Sequence, residues 1–160
     1  MIGIGCDHAG FQLKKMIMAR LRDNGIAYED LGTASEDSVD YPDYALRVAE
    51  GVMAGRYDRG ILICGTGIGV AIAANKVPGI RAANCHDPLS AKLSRQHNDA
   101  NILTLGGRII GPELAWEIVQ VWLATPFAGG RHQGRIDKIT AIEEKYVGKE
   151  RATRDGHGKL

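Results

Sequence analysis

At 160 residues, with 44% hydrophobic and 24% charged side chains, the chain has the length and ordinary composition of one globular domain with a substantial core. A formal net charge of +1 removes any bulk electrostatic pull toward nucleic acid or a membrane surface. No apolar run approaches the roughly 20 residues that a bilayer span needs.

Met1 to Cys6 reads as a strand, entered with no signal-peptide pattern, and Asp7, His8, Ala9 and Gly10 as its exit loop. Phe11 to Arg22 is an amphipathic helix. Leu13, Met16, Ile17 and Leu21 fall on its apolar face, with Lys14, Lys15, Arg20 and Arg22 outside. Ile26 to Leu31 is a second, more polar strand near a sheet edge, and Gly32 to Asp40 a polar loop. Tyr41-Pro42 opens a helix from about Asp43 to Gly55. Ile61 to Ile63 is a strand buried on both faces, closed by Cys64. After a glycine loop, Val70 to Ala74 is helical. Ile80 to Cys85 is the fourth strand, Pro88 to about Arg95 a helix, and Asn101 to Leu105 the fifth strand. Helices over Glu113 to Leu123 and Arg131 to Tyr146 follow. The charged, glycine-rich tail from Gly148 is expected to fray, leaving a domain over residues 1–147. Strands alternating with helices predict an α/β fold: one three-layer domain around a mainly parallel five-stranded sheet, with a C-terminal helix.

The chain is organised around GILICGTGIGVAIAAN, residues 60–75. Here a thiol sits where a strand ends and a helix begins, beside a loop with few side chains. The glycines bring backbone N–H groups close to a ligand, and N–H groups at a helix start favour an anion, or a thiolate at Cys64. A base beside an anion cradle suits proton abstraction next to a carbonyl. Inert packing competes, since Cys is among the most buried residue types. A dinucleotide loop competes weakly: the glycine spacing misses G-x-G-x-x-G, although Asp87 stands where a ribose ligand could. No Gly-Lys-Ser/Thr follows, which argues against a P-loop.

In parallel sheets, ligands sit beyond the carboxyl ends of the strands. Asp7 and His8, Cys64 to Gly69, His86 and Asp87, and Gly106 to Arg108 all fall there. Asp7-His8 suits hydrogen bonding to substrate hydroxyls or acid–base help, against a turn Asp with a solvated His. His97, in the polar run Ser94 to Asp99, can carry a proton near neutral pH or simply cap a helix. Arg131 and Arg135, four apart, can grip a phosphate or carboxylate, and Arg108 is a further anion candidate; a solvated basic turn is the alternative. Cys6, Cys64 and Cys85 are odd in number and widely spaced. This argues for reduced thiols in a cytoplasmic compartment rather than a disulfide frame. Cys6, His8, Cys85 and His86 lack the spacing of a zinc motif. Trp116 and Trp122 read as core or interface packing, and no basic-aromatic interleaving supports nucleic-acid binding.

GCDHAGF at the start, DYPDYA from Asp40, GILICGTGIGVAIAANKVPGIRA, SRQHNDANILTLGGRIIG and GGRHQGRI occur in one chain in this order. Together they resemble the type B ribose-5-phosphate isomerases, within the family that holds the galactose-6-phosphate and allose-6-phosphate isomerases. The resemblance runs from Ile4 to about Glu143. It implies a Rossmann-like sheet and a homodimer, or a tetramer, with active sites across the subunit interface. It implies interconversion of ribose 5-phosphate and ribulose 5-phosphate through an enediolate, with neither cofactor nor metal. Cys64 is then the base, His97 the acid of ring opening, and Thr66 a proton shuttle. Gly65, Thr66, Gly67, Ile68 and Gly69 supply N–H groups to the enediolate oxygen. Asp7, His8 and Asn98 bind hydroxyls, and Arg108, Arg131 and Arg135 the phosphate. Part of the family uses a Glu at the position of Asn75 instead of the Cys; this chain matches the Cys-dependent part. Another sugar phosphate, such as a hexose or tetrose phosphate, or a binding module without turnover, are the other readings.

Overall fold

A strand that is apolar on both faces needs helices above and below it, and the chain supplies them in alternation. The computed structural model describes residues 1–147, so the tail expected to fray from Gly148 lies outside the described residues. Five strands, β1 (Ile2–Cys6), β2 (Tyr28–Asp30), β3 (Arg59–Cys64), β4 (Ala82–Asn84) and β5 (Ile102–Gly106), form one sheet. Its order is β2-β1-β3-β5-β4, and every pairing is parallel. The helices are α1 (Phe11–Asp23), α2 (Tyr41–Met53), α3 (Ile68–Ala74), α4 (Pro88–Asn98), α5 (Pro112–Ala124) and α6 (Arg131–Tyr146). This is the three-layer α/β architecture that the alternation implied, with the strand before the glycine loop at its centre.

Side chains alternate across a strand, so β3 feeds two cores. Ile61 and Ile63 join Ile2, Ile4, Leu103 and Leu105 on the face covered by α1, α4 and α5. Leu62 and Cys64 face the other way, against Ala45 and Val48 of α2 and Val70 and Ala74 of α3. Trp122 is fully buried in the first core and Trp116 nearly so, which makes both packing residues.

The structure departs from expectation at the sheet edges. The runs Ile26–Leu31 and Ile80–Cys85 yield strands of only three residues, Tyr28–Asp30 and Ala82–Asn84. Each pairs on one side only, so its ends follow the flanking loops. Helix α4 departs the other way. It runs past Arg95 to Asn98 and is closed by Asp99 in the left-handed region, at φ 45°. Arg95 and Arg81 hold that carboxylate at 2.8 and 3.2 Å, which offsets the strain. At the other end, Asp87 accepts the Ser90 N–H at 2.7 Å as the helix cap, a task that replaces the ribose contact considered above.

Lys14 is the clearest correction. Expected on the solvent face of α1, it is 1% exposed. Its ammonium donates to Asp30 Oδ1 and Oδ2 at 2.7 and 2.8 Å and to the Thr33 carbonyl at 2.7 Å. A lysine can be buried when its donors are satisfied in this way. The contact ties α1 to β2 and to the start of the loop that leads to α2. No described helix is long and apolar enough to cross a membrane. Lys14→Met keeps the stem but leaves these acceptors unserved. Denaturant unfolding should show a loss of about 2 kcal/mol; unchanged stability would mean that the ion pair does not hold the loop.

Candidate active site

At the exit of β3 the chain must turn from strand to helix within three residues, and it does so over bare backbone. Gly67 takes φ 78° as the N-cap of α3. A Cβ there would run into the Asn84 side chain and come within 2.8 Å of the Leu105 carbonyl carbon, so only glycine fits. The loop is fixed from below. The buried Thr104 hydroxyl donates to the Gly67 carbonyl at 2.8 Å, and the Asn84 amide donates to the Thr66 carbonyl at 3.4 Å. In this geometry the Gly67 N–H points back at Cys64 and donates to its sulfur at 3.1 Å.

The three free thiols are all buried, but differently. Burial pushes the Cys6 thiol up to about 12, and burial also raises that of Cys85. Both are set against becoming ions. Cys64 is 5% exposed, and it lies one residue from half-buried Gly65 and two from exposed Thr66, at the rim of the packed layer. Because α3 has only seven residues, its macrodipole is small, and the Gly67 N–H is the local donor to sulfur.

The exit loops of β1 and β5 close around this rim. The Gly107 and Arg108 N–H groups donate to the Cys64 and Gly65 carbonyls at 2.8 and 3.0 Å. The Arg108 guanidinium lies over Gly65, with Nη1 3.6 Å from where a Cβ would stand. Asp7 is 6% exposed, and its Oδ1 accepts the Ala9 and Gly10 N–H groups at 2.9 and 3.1 Å, capping a 3₁₀ turn over His8–Gly10. His8 Nδ1 accepts the Val39 N–H at 3.2 Å, which assigns the proton of the neutral ring to Nε2. Two residues outside the expected set add to the picture. Tyr41 lays its ring against Gly69, where a Cβ would meet it at 2.8 Å. Asn75 pairs both ends of its amide with Ala82 at 2.7 and 2.9 Å, extending the edge of β4.

The remaining candidates stand elsewhere. Helix α4 begins at the carboxyl end of β4 and runs back along the sheet for 11 residues, about 16 Å. His97 and Asn98 are in its last turn, at the amino ends of the strands. There the Arg81 Nε donates to the Asn98 carbonyl at 2.9 Å. The Ala128 N–H donates to the Gln96 carbonyl at 3.1 Å, which brings in the start of α6. His132 of α6 stacks on His97, with centroids 4.3 Å apart and planes at 14°. Arg131 and Arg135, exposed, flank it. One chain therefore brings Cys64, Thr66, the loop glycines, Asp7, His8 and Arg108 to one end of the sheet. It carries His97, Asn98, Arg131 and Arg135 at the other. A cavity of about 640 Å³ lined by Met1, Asp58, Arg59 and Trp116 also lies at the amino end, away from Cys64. Among the described residues no group of three or more His, Cys, Asp or Glu side chains could hold a metal.

Residues 2–139 match the ribose/galactose isomerase family. The chain belongs to that family. It is 55% identical over 144 residues to the ribose-5-phosphate isomerase B of Escherichia coli K12, covering 90% of this chain and 97% of that one. It is 44% identical over 146 residues to the D-erythrulose-4-phosphate isomerase of Pectobacterium atrosepticum, covering 90% of this chain and 95% of that one. The solved structure of ribose-5-phosphate isomerase B from Clostridium thermocellum superposes with a TM-score of 0.90 at 56% identity, over 91% of this chain and 98% of that one.

Gly67→Ala tests the loop directly. The left-handed backbone and the clash with Asn84 should displace the Gly67 N–H from the sulfur. Circular dichroism should stay native while turnover falls at least about tenfold; wild-type turnover would show that the loop geometry is dispensable.

Proposed function

We propose that the chain interconverts ribose 5-phosphate and ribulose 5-phosphate, as an aldose–ketose isomerase with Cys64 as base. The observation that carries this is the buried Cys64 sulfur, 3.1 Å from the Gly67 N–H of a glycine loop that exposes Thr66 and Ile68. The thiolate takes the proton from C2 of the open-chain aldose. The C2 electron pair forms the C1=C2 bond, and the carbonyl electrons move onto O1. Loop N–H groups from Gly65 to Gly69 stabilise that oxygen. The Thr66 hydroxyl moves a proton from O2 to O1, and Cys64 returns its proton to C1, leaving the carbonyl at C2. No net redox change occurs. Asp7, His8 and Asn98 bind hydroxyls, and His97 serves ring opening. Arg108, Arg131 and Arg135 grip the phosphate, so that binding far from the reacting carbons positions them. The three free thiols support a reducing, cytoplasmic setting.

The division of these residues between the two ends of the sheet supports a site completed by a second copy of the chain. Ile68 and Ile72, one turn apart on α3 beside the cradle, are 53% and 57% exposed. They form an apolar strip that a second copy would cover, in a homodimer or a tetramer. A second reading of the substrate, a tetrose phosphate, draws on the Pectobacterium relative. A panel of tetrose, pentose and hexose phosphates decides, with kcat/KM highest for ribose 5-phosphate expected.

Cys64→Ala should keep the fold but lower kcat about 10³-fold and abolish exchange of the C2 proton with deuterated solvent; full exchange would remove the assigned base. Arg131→Ala should act mainly on KM, and an equal loss in kcat at constant KM would contradict a phosphate clamp.

A further inference from the structure

His132 has no task in the scheme above. Its side chain is nonetheless 9% exposed and lies flat on His97 at 4.3 Å. The two rings come from different helices, so the stack fixes how α6 docks on α4. Within α6, Arg131 precedes His132 and Arg135 follows one turn later, so two guanidiniums flank the pair. On α4 the nearby charges are Arg95 and Asp99, bonded to each other at 2.8 Å, with Arg81 also on Asp99. The negative charge of Asp99 is therefore already committed. The segment between α5 and α6 brings a backbone N–H to Gln96 and no charged side chain. Burial first, then His97, Arg131 and Arg135, hold His132 below the ordinary imidazole range. Two imidazolium rings in contact beside two guanidiniums would repel strongly, so the stack disfavours a second proton.

We propose that His97 and His132 act as one acid–base unit gated by the anion. A dianion seated between Arg131 and Arg135 lets the stacked pair take up a proton from solvent, and His97 then has a proton to give. His132 is thus a positioning residue that works through His97. The proposal rests on the reading of the arginines as the phosphate clamp and of His97 as the acid of ring opening. Opening a furanose breaks the C1–O bond and puts a proton on the ring oxygen, while the C1 hydroxyl loses one. Guanidinium charge beside the stack opposes the proton that His97 must give. Cancelling that charge with the phosphate favours it, and no oxidant or reductant is involved. Discrimination against unphosphorylated sugars then appears in kcat as well as in KM.

The test is an NMR titration of the imidazole protons in the full chain, with and without sulfate. Sulfate is a dianion throughout the range and takes up no proton itself. The midpoint of the His97–His132 pair should rise by about one unit with sulfate, while those of His8 and His86 stay in place. A pair midpoint that moves no more than that of His8 overturns the proposal. In His132→Phe, which keeps an aromatic face on His97 but carries no proton, the His97 midpoint should already be raised without sulfate. The alkaline limb of the kcat profile should shift upward in that variant, with KM within about twofold. A uniform loss of kcat at every pH, with no shift, would mark a packing role and overturn the coupling. His97→Gln separates the two readings. Wild-type rates on the furanose form would remove His97 as the ring acid, whereas a sulfate-linked shift of His132 would still report coupling to the clamp.

Discussion

The hydrogen bond from the Gly67 N–H to the Cys64 sulfur is the contact on which the rest of the site depends. It exists because β3 delivers its last residue to a turn that only glycine can make. That turn is held by Thr104 of β5 and Asn84 of β4, which reach Gly67 and Thr66 from the neighbouring strands. The sheet is thus more than a platform. Its parallel register sets Leu62 beside Thr104 and Cys64 beside Gly106, so the strands that build the core also aim the loop. Arg108 then lies over Gly65 because its own backbone is bonded to that loop.

The second constraint is the length of α4. A helix of 11 residues leading from the carboxyl end of one strand to the amino end of the next must place its last turn far from its first. His97 and the arginines of α6 cannot share a pocket with the sulfur of their own chain. Within one chain, the proposed proton acceptor and enediolate cradle lie at the opposite end of the sheet from the proposed phosphate grip. The account therefore requires that two chains exchange halves, and that the exposed Ile68 and Ile72 beside the cradle are covered in the assembly.

Much of this was legible in the amino-acid order. The alternation of apolar runs and amphipathic segments announced the layered fold, and the G-T-G-I-G stretch after Cys64 announced the junction. What escaped depended on contacts distant in sequence. Lys14 sits on the helical period of a solvent face. Only its partners at Asp30 and Thr33, contributed by the β2 segment, make its burial tolerable. The edge strands looked longer than they are, because hydrophobicity does not record that a strand has one neighbour. The polar run around His97 read as lying just past a helix ending near Arg95. It is the end of a helix, closed by an aspartate whose left-handed backbone is compensated by Arg81 and Arg95. His132 stood in plain view between two arginines, but a ring stack between helices has no signature in spacing.

The exchange of halves is tested most directly by mixing two inactive variants. One chain carries Cys64→Ala, and the other carries Arg131→Ala together with Arg135→Ala. Each alone should be nearly inactive at low substrate concentration. After unfolding and refolding as an equal mixture, half of the dimers are mixed, and each has one intact site. About a quarter of wild-type activity should return. If the mixture stays as inactive as its components while mixed dimers are present, each chain holds its own complete site, and the account is wrong.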